Sequence, residues 1–152
     1  MAPATQLGLP LGIDGIQIFG SHLYFTNFFQ QNGFFAKVPI SMRDGSKLGK
    51  AVLVAKSGYG DDFAMDKKGN AWVTTNLLNG VQVIKPDGSF KTVVGGVNDT
   101  IVQGSTGAVF GRTRRDSHIL YVSTNGGSAI PVPGTYRVGG TVVAIDTSRI
   151  HI

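Results

Sequence analysis

Apolar residues along this 152-residue chain fall in short alternating runs, not in helical stripes. Leu23-Tyr24-Phe25-Thr26-Asn27, Ala71-Trp72-Val73-Thr74-Thr75-Asn76 and Leu120-Tyr121-Val122-Ser123-Thr124-Asn125 each combine an aromatic, a β-branched or aromatic neighbour and hydroxyls, and each ends on Asn. Such runs predict strands, because β-branched and aromatic side chains pack well on a pleated, half-buried surface. A second shared run precedes each one: Asp14-Gly15-Ile16-Gln17-Ile18, Asp61-Asp62-Phe63-Ala64-Met65-Asp66 and Thr106-Gly107-Ala108-Val109-Phe110. Turn-rich segments at 19–22, 67–70 and 111–118 separate the members of each pair, so each pair predicts a hairpin.

The aromatics stand at 24, 72 and 121, spacings of 48 and 49 residues. A period of that length points to the blades of a propeller, in which each repeat is one small antiparallel sheet. Phe34 to Ile40 and Ala51 to Ala55 complete the first unit, and Val81 to Ile84 and Phe90 to Val94 the second. The intervening turns are Arg43-Asp44-Gly45-Ser46 and Pro86-Asp87-Gly88-Ser89. The predicted fold class is all-β, with three four-stranded blades forming half of a six-bladed propeller. Residues 1–12 form an N-terminal segment, and 13–60, 61–103 and 104–152 are the three blades. The third unit has only three strands of its own, the last at Thr141 to Ile145, so Thr5 to Leu11 is the predicted donor of a fourth, in cis or from another chain. Three blades also leave two apolar faces uncovered, and a homodimer that closes the ring is the predicted assembly.

Composition sharpens this picture. All nine acidic residues are Asp and none is Glu, and Gly occurs 22 times, a balance that favours turns over helix interiors. The formal charge is +5, but Arg43, Lys67, Lys68, Lys85, Arg112, Arg114 and Arg115 fall on hairpins at one predicted face with no aromatic stacking platform between them. A solvated basic face is expected there, and nucleic acid is not an expected partner. No apolar run approaches the roughly 18 residues of a membrane span, so no membrane association is expected. The start shows no basic segment followed by an apolar one, which predicts a cytoplasmic location. Without Cys there is no disulfide, thiolate metal site or cysteine nucleophile.

The stretch Asp61 to Val73 resembles a blade signature of the regucalcin, gluconolactonase and strictosidine-synthase-like group, P-D-G-x-x-x-D-x-x-G-x-x-W-V. Thr106 to Gly111 followed by Leu120-Tyr121-Val122 is similar to that group's closing blade. The resemblance covers residues 12 to 147 and matches the last three of six blades. It implies a six-bladed propeller that acts on a small organic molecule, most directly as a lactone or ester hydrolase with a divalent metal, often calcium, at the channel mouth. The chain also looks like fungal members that serve secondary metabolism, including pericyclases that control cycloadditions, so a metal-independent pericyclase or condensing enzyme is an alternative. A non-catalytic binding or scaffold half-propeller is another. On this resemblance a metal-binding Asn falls on Asp14 and a metal-binding Asp on Asp61, with Asp62 where the group has Gly and Gly60 where it has Pro. The Glu ligand of the group has no counterpart.

In a propeller the innermost strand begins at the face where the second strand ends. Asp14, Asp61 and Thr106 are therefore predicted to share a rim with Asn27, Asn76 and Asn125. Asp14 and Asp61 are the candidate catalytic groups, either as ligands of a calcium-like cation or as an acid–base pair in which one carboxyl raises the pKa of the other. Asn27, Phe28, Asn76, Leu77, Thr106 and Asn125 are the candidate substrate-binding residues, with Phe28, Phe29 and Leu77 as an apolar wall. Tyr24, Trp72 and Tyr121 are assigned to packing between blades.

Overall fold

The structure, a computed structural model, describes residues 4–6, 9–28, 33–136 and 138–152, with side chains from residue 12 onward. Among the described residues there are thirteen strands. The first sheet holds β3 (Ile13–Phe19), β4 (His22–Asn27), β5 (Phe34–Pro39) and β6 (Val52–Ala55) in that spatial order, and all its pairings are antiparallel. β7 (Phe63–Met65), β8 (Ala71–Thr74), β9 (Gly80–Ile84) and β10 (Phe90–Gly95) form the second in the same manner. The third has three strands, β11 (Ser105–Phe110), β12 (Ile119–Thr124) and β13 (Val142–Asp146). These are the up-and-down sheets of propeller blades, and the fold is all-β. Among the described residues the helical content is two three-residue 3-10 turns, Asn76–Leu78 and Thr147–Arg149. No helix there is long and apolar enough to cross a membrane.

One expectation needs correction. Thr5 to Leu11 is not a single strand closing the third blade of its own chain. Instead β1 (Ala4–Gln6) pairs with β2 (Leu9–Leu11), and β13 ends the third sheet. Local pairing across a short connection wins over donation to a distant edge because it closes a far smaller loop.

Turn chemistry sets the blade corners. Asp44 accepts a hydrogen bond from the Ser46 N–H at 3.0 Å, and Asp87 accepts one from that of Ser89 at 2.9 Å. The Gly between the members of each pair has a positive φ, which a side chain would resist. Asp66 does more: its carboxylate accepts from the Lys68 and Asn70 N–H groups, the Asn70 amide and the Trp72 indole, binding the β7–β8 turn to the aromatic of the next strand.

Register shows what the repeated aromatics do. Within blade 2, Ala64, Trp72 and Val83 lie opposite one another and so share a face, while Phe63, Val73 and Gln82 share the other. The Phe63 face packs on Phe35 and Ala55 of blade 1, and the Trp72 face packs on Leu120, Val122 and Ile145 of blade 3. Trp72 meets Phe110 edge to face at 5.9 Å, and Phe63 meets Phe35 in the same way at 5.0 Å. Each such pair adds about 0.5–1.5 kcal/mol beyond its buried area. The two cores of the chain are thus the two junctions between blades.

Candidate functional site

The innermost strands β3, β7 and β11 run side by side, and their first residues gather at one end. The Gln17 amide donates to the Phe63 carbonyl at 2.6 Å, and the Asp62 N–H donates to the Thr106 carbonyl at 3.3 Å. At this end the chain brings Asp14, Asp61 and Asp62 together.

Local sequence makes the approach possible. Gly15 lies against the Asp61–Asp62 segment so closely that a Cβ there would stand 2.8 Å from Asp62 Oδ1 and 2.9 Å from Asp62 Cα. The buried Thr26 hydroxyl fastens the same junction, accepting from the Gly15 N–H at 2.9 Å and donating to the Asp61 carbonyl at 2.7 Å. One blade further on, the Thr74 hydroxyl donates to the Asp62 carbonyl at 2.8 Å, and the Asp61 N–H donates to the Thr74 carbonyl at 2.8 Å. The backbone of Asp61 is therefore held from both neighbouring strands.

Its side chain is held as well. The carboxyls of Asp61 and Asp14 hydrogen-bond to one another, and the Asn76 amide donates to Asp61 Oδ2 at 2.8 Å. Burial and the hydrogen bond to Asp14 push the Asp61 carboxyl up to about 7; the Asn76 amide acts in the opposite sense. Asp62 is raised too, by loss of water and by the charge of Asp14. A carboxyl that titrates near neutrality can give or take a proton at working pH.

The remaining predicted site residues divide into two groups. Asn76 and Asn125 join the carboxyls: the Asn125 amide donates to Asn76 Oδ1 at 3.4 Å, and Asn125 Oδ1 accepts from the Gly127 and Ser128 N–H groups at 2.9 and 3.0 Å. Leu77 is half-buried in the 3-10 turn that starts at Asn76. Thr106 reaches Asp62 through its carbonyl, whereas its hydroxyl turns to Ser123. Asn27 is buried at the end of β4, paired with Ile13 and Phe34, outside the hydrogen-bonded group. Half-buried Phe28 donates its N–H to the Gly12 carbonyl, and Phe29 lies outside the described residues. Sequence reasoning passed over Gly15, Thr26 and Asp62 as site residues. The Asp-Gly pair at 14–15 and the doubled Asp at 61–62 were the available signals.

No family model matches the chain. Its sequence relatives are named as hetero-Diels-Alderases. One, "Putative hetero-Diels-Alderase asR5" of Sarocladium schorii, is 31% identical over 161 residues, covering 95% of this chain and 39% of the relative. Another, "Putative hetero-Diels-Alderase" of a Phoma species, is 29% identical over 120 residues, covering 78% of this chain and 34% of the relative. The chain thus spans well under half the length of these two relatives. Among solved structures, a luciferin-regenerating enzyme superposes with a TM-score of 0.70 at 16% identity, over 91% of this chain and 46% of that one. The calcium-binding protein regucalcin from Agrobacterium tumefaciens gives 0.58 at 21% identity, over 74% of this chain and 37% of its own. A gluconolactonase from Xanthomonas campestris gives 0.55 at 17% identity, over 75% and 35%. These likenesses establish the propeller fold.

The resemblance to the regucalcin and gluconolactonase group implies a divalent cation at this mouth. Among the described residues no group of three or more His or Asp side chains is arranged to hold one. The Asn76 amide turns an N–H donor toward Asp61 where a cation needs an acceptor oxygen. The described residues of this chain do not by themselves fit a calcium shell.

Proposed function

We propose that the chain carries one part of a propeller pocket in which Asp61 is a hydrogen-bond acid for a cycloaddition of the kind its relatives are named for. The observation behind this reading is the Asp14–Asp61 pair, one member of which holds its proton up to about pH 7. A protonated Asp61 donates its O–H to the carbonyl oxygen of a heterodiene and draws electron density from it, so that an electron-rich alkene adds more readily. The new C–C and C–O bonds form from π bonds of the two reactants, and the proton stays on Asp61. Asn76 holds the carboxyl at Oδ2, Asn125 holds Asn76, and Phe28 and Leu77 supply apolar surface for the organic ligand.

The test is the rate of cycloaddition between an α,β-unsaturated carbonyl compound and an enol ether as a function of pH. Acceleration should fall as pH rises through about 7, and Asp61→Ala should lose about 100-fold. An unchanged rate in Asp61→Ala would overturn the assignment.

The fold likeness to a gluconolactonase supports a second reading, lactone hydrolysis, with ionised Asp61 as the base that activates water. This reading requires activity that rises through pH 7, the opposite slope.

A further inference from the structure

Each blade has a face toward the preceding blade and a face toward the following one, and the repeated aromatics stand on the second. Tyr24 lies opposite Gln17, Trp72 opposite Ala64 and Tyr121 opposite Val109, so the three occupy one equivalent position. Tyr24 packs in the junction of blades 1 and 2, and Trp72 in that of blades 2 and 3. Tyr121 faces outward from the last sheet beside Val109 and Val142, which are 47% and 71% exposed, around a depression of about 330 Å³. At the other end, Ile16 and Ile18 are 60% and 57% exposed at the positions where blade 2 has Phe63 and Met65, and blade 3 has Ala108 and Phe110. One end thus shows an uncovered following face, and the other an uncovered preceding face. These are the two complementary halves of the junction that the chain forms twice internally.

We infer that the occupant of both faces is a second copy of this chain, related by a two-fold axis along the channel, with blade 3 of each protomer on blade 1 of the other. The geometry repeats the internal junction: Tyr121 of one copy meets Ile18 of the other as Trp72 meets Phe110. A 180° rotation closes the ring with two identical junctions and leaves no blade face uncovered. It also gathers two Asp14–Asp61 pairs around one mouth. The interface rests on the blade faces and not on the carboxyls, so it survives the loss of Asp61.

Light scattering of the 152-residue chain at micromolar concentration should give twice the 16.0 kDa chain mass. The chain has no cysteine, so Ile18→Cys and Tyr121→Cys each introduce a single thiol. Mixed and oxidised, the two variants should form a disulfide-linked heterodimer, while neither alone should cross-link. Ile18→Lys, at an exposed position, should halve the mass with an unchanged circular dichroism spectrum. A monomeric wild-type chain, an open-ended ladder of oligomers, or cross-linking of Ile18→Cys to itself in preference to the mixture would each overturn the closed ring.

Discussion

Blade 2 and the blades that flank it carry the same alternation of apolar residues, but their burial differs sharply. Phe63 is 2% exposed and Ile16, at the equivalent position, is 60% exposed; Trp72 is buried, while Tyr121 is only half-buried. Every residue of β8 and β9 is buried, whereas β13 carries Val142 and Ala144 to solvent. The strand pattern is the same in each case; only the presence of a neighbouring blade differs. Apolar alternation in a propeller therefore states what a blade is built to meet, and the residues with nothing to meet mark where the next blade belongs.

The sharpest way to break this comparison is to truncate equivalent positions. Trp72→Ala and Phe63→Ala each remove a fully packed aromatic from a junction and should cost about 3–5 kcal/mol in urea denaturation. Ile16→Ala, measured in protein dilute enough to be monomeric, should change stability by no more than about 0.5 kcal/mol. Equal losses at positions 16 and 63 would show that the outer face of blade 1 is already packed within the single chain. A cost at Ile16 that appears only as protein concentration rises would assign that face to assembly.

Glycines at matching places in blades 1 and 3 sharpen the contrast on a smaller scale. A Cβ on Gly15 meets backbone and side chain of Asp62, but a Cβ on Gly107 meets chiefly the Ser123 hydroxyl, which can rotate away. Gly15→Ala should therefore cost about 1–3 kcal/mol, and Gly107→Ala a few tenths. Because Gly15 sets the approach of Asp14 to Asp61, its replacement should also lower the Asp61 pKa, readable from the carboxyl ¹³C shift. An Asp61 titration unmoved in Gly15→Ala would detach the carboxyl pair from this close approach.

Much of this arrangement was legible in the residues. The 48–49 residue spacing of Tyr24, Trp72 and Tyr121 marks the blades, and Asp44-Gly45-Ser46 and Asp87-Gly88-Ser89 mark their corners, because both signals are local. The meeting of Asp14 with Asp61 was legible through the repeat, which puts both at the start of an innermost strand, and through the resemblance, which places both in one site. What escaped depends on contacts between blades. Thr26 reads as one more strand hydroxyl until it is seen joining Gly15 to Asp61. Asn76 and Asn125 read as ligand-binding rim residues, and the repeat does not reveal that they hydrogen-bond to each other or that Asn76 bonds to Asp61. The N-terminal segment shows a related limit: a strand pattern does not name its partner, and within the chain Ala4–Gln6 takes Leu9–Leu11.

A change of pH tests the carboxyl pair through stability. Asp61 carries a pKa raised from 3.8 to about 7 in the folded chain, so between those limits the folded state binds more proton at this site than the unfolded state does. Stability must then fall as pH rises across that interval, and the contribution is fully present only below the unfolded value. Asp44, Asp87, Asp116 and Asp146 are shifted the other way, chiefly by side-chain hydrogen bonds from Ser46, Ser89, Thr113 and Ser148. They make the wild-type profile mixed, so the informative quantity is the difference between wild type and Asp61→Asn, in which those groups cancel. Asn keeps the shape of the side chain but carries no charge at any pH. The melting temperature of Asp61→Asn should therefore gain on that of wild type by a few degrees between pH 4 and pH 8, with most of the gain complete by about pH 7. A difference in melting temperature that stays constant over this range would mean that Asp61 titrates alike in the folded and unfolded chains, and the acid assigned to the site would be lost with it.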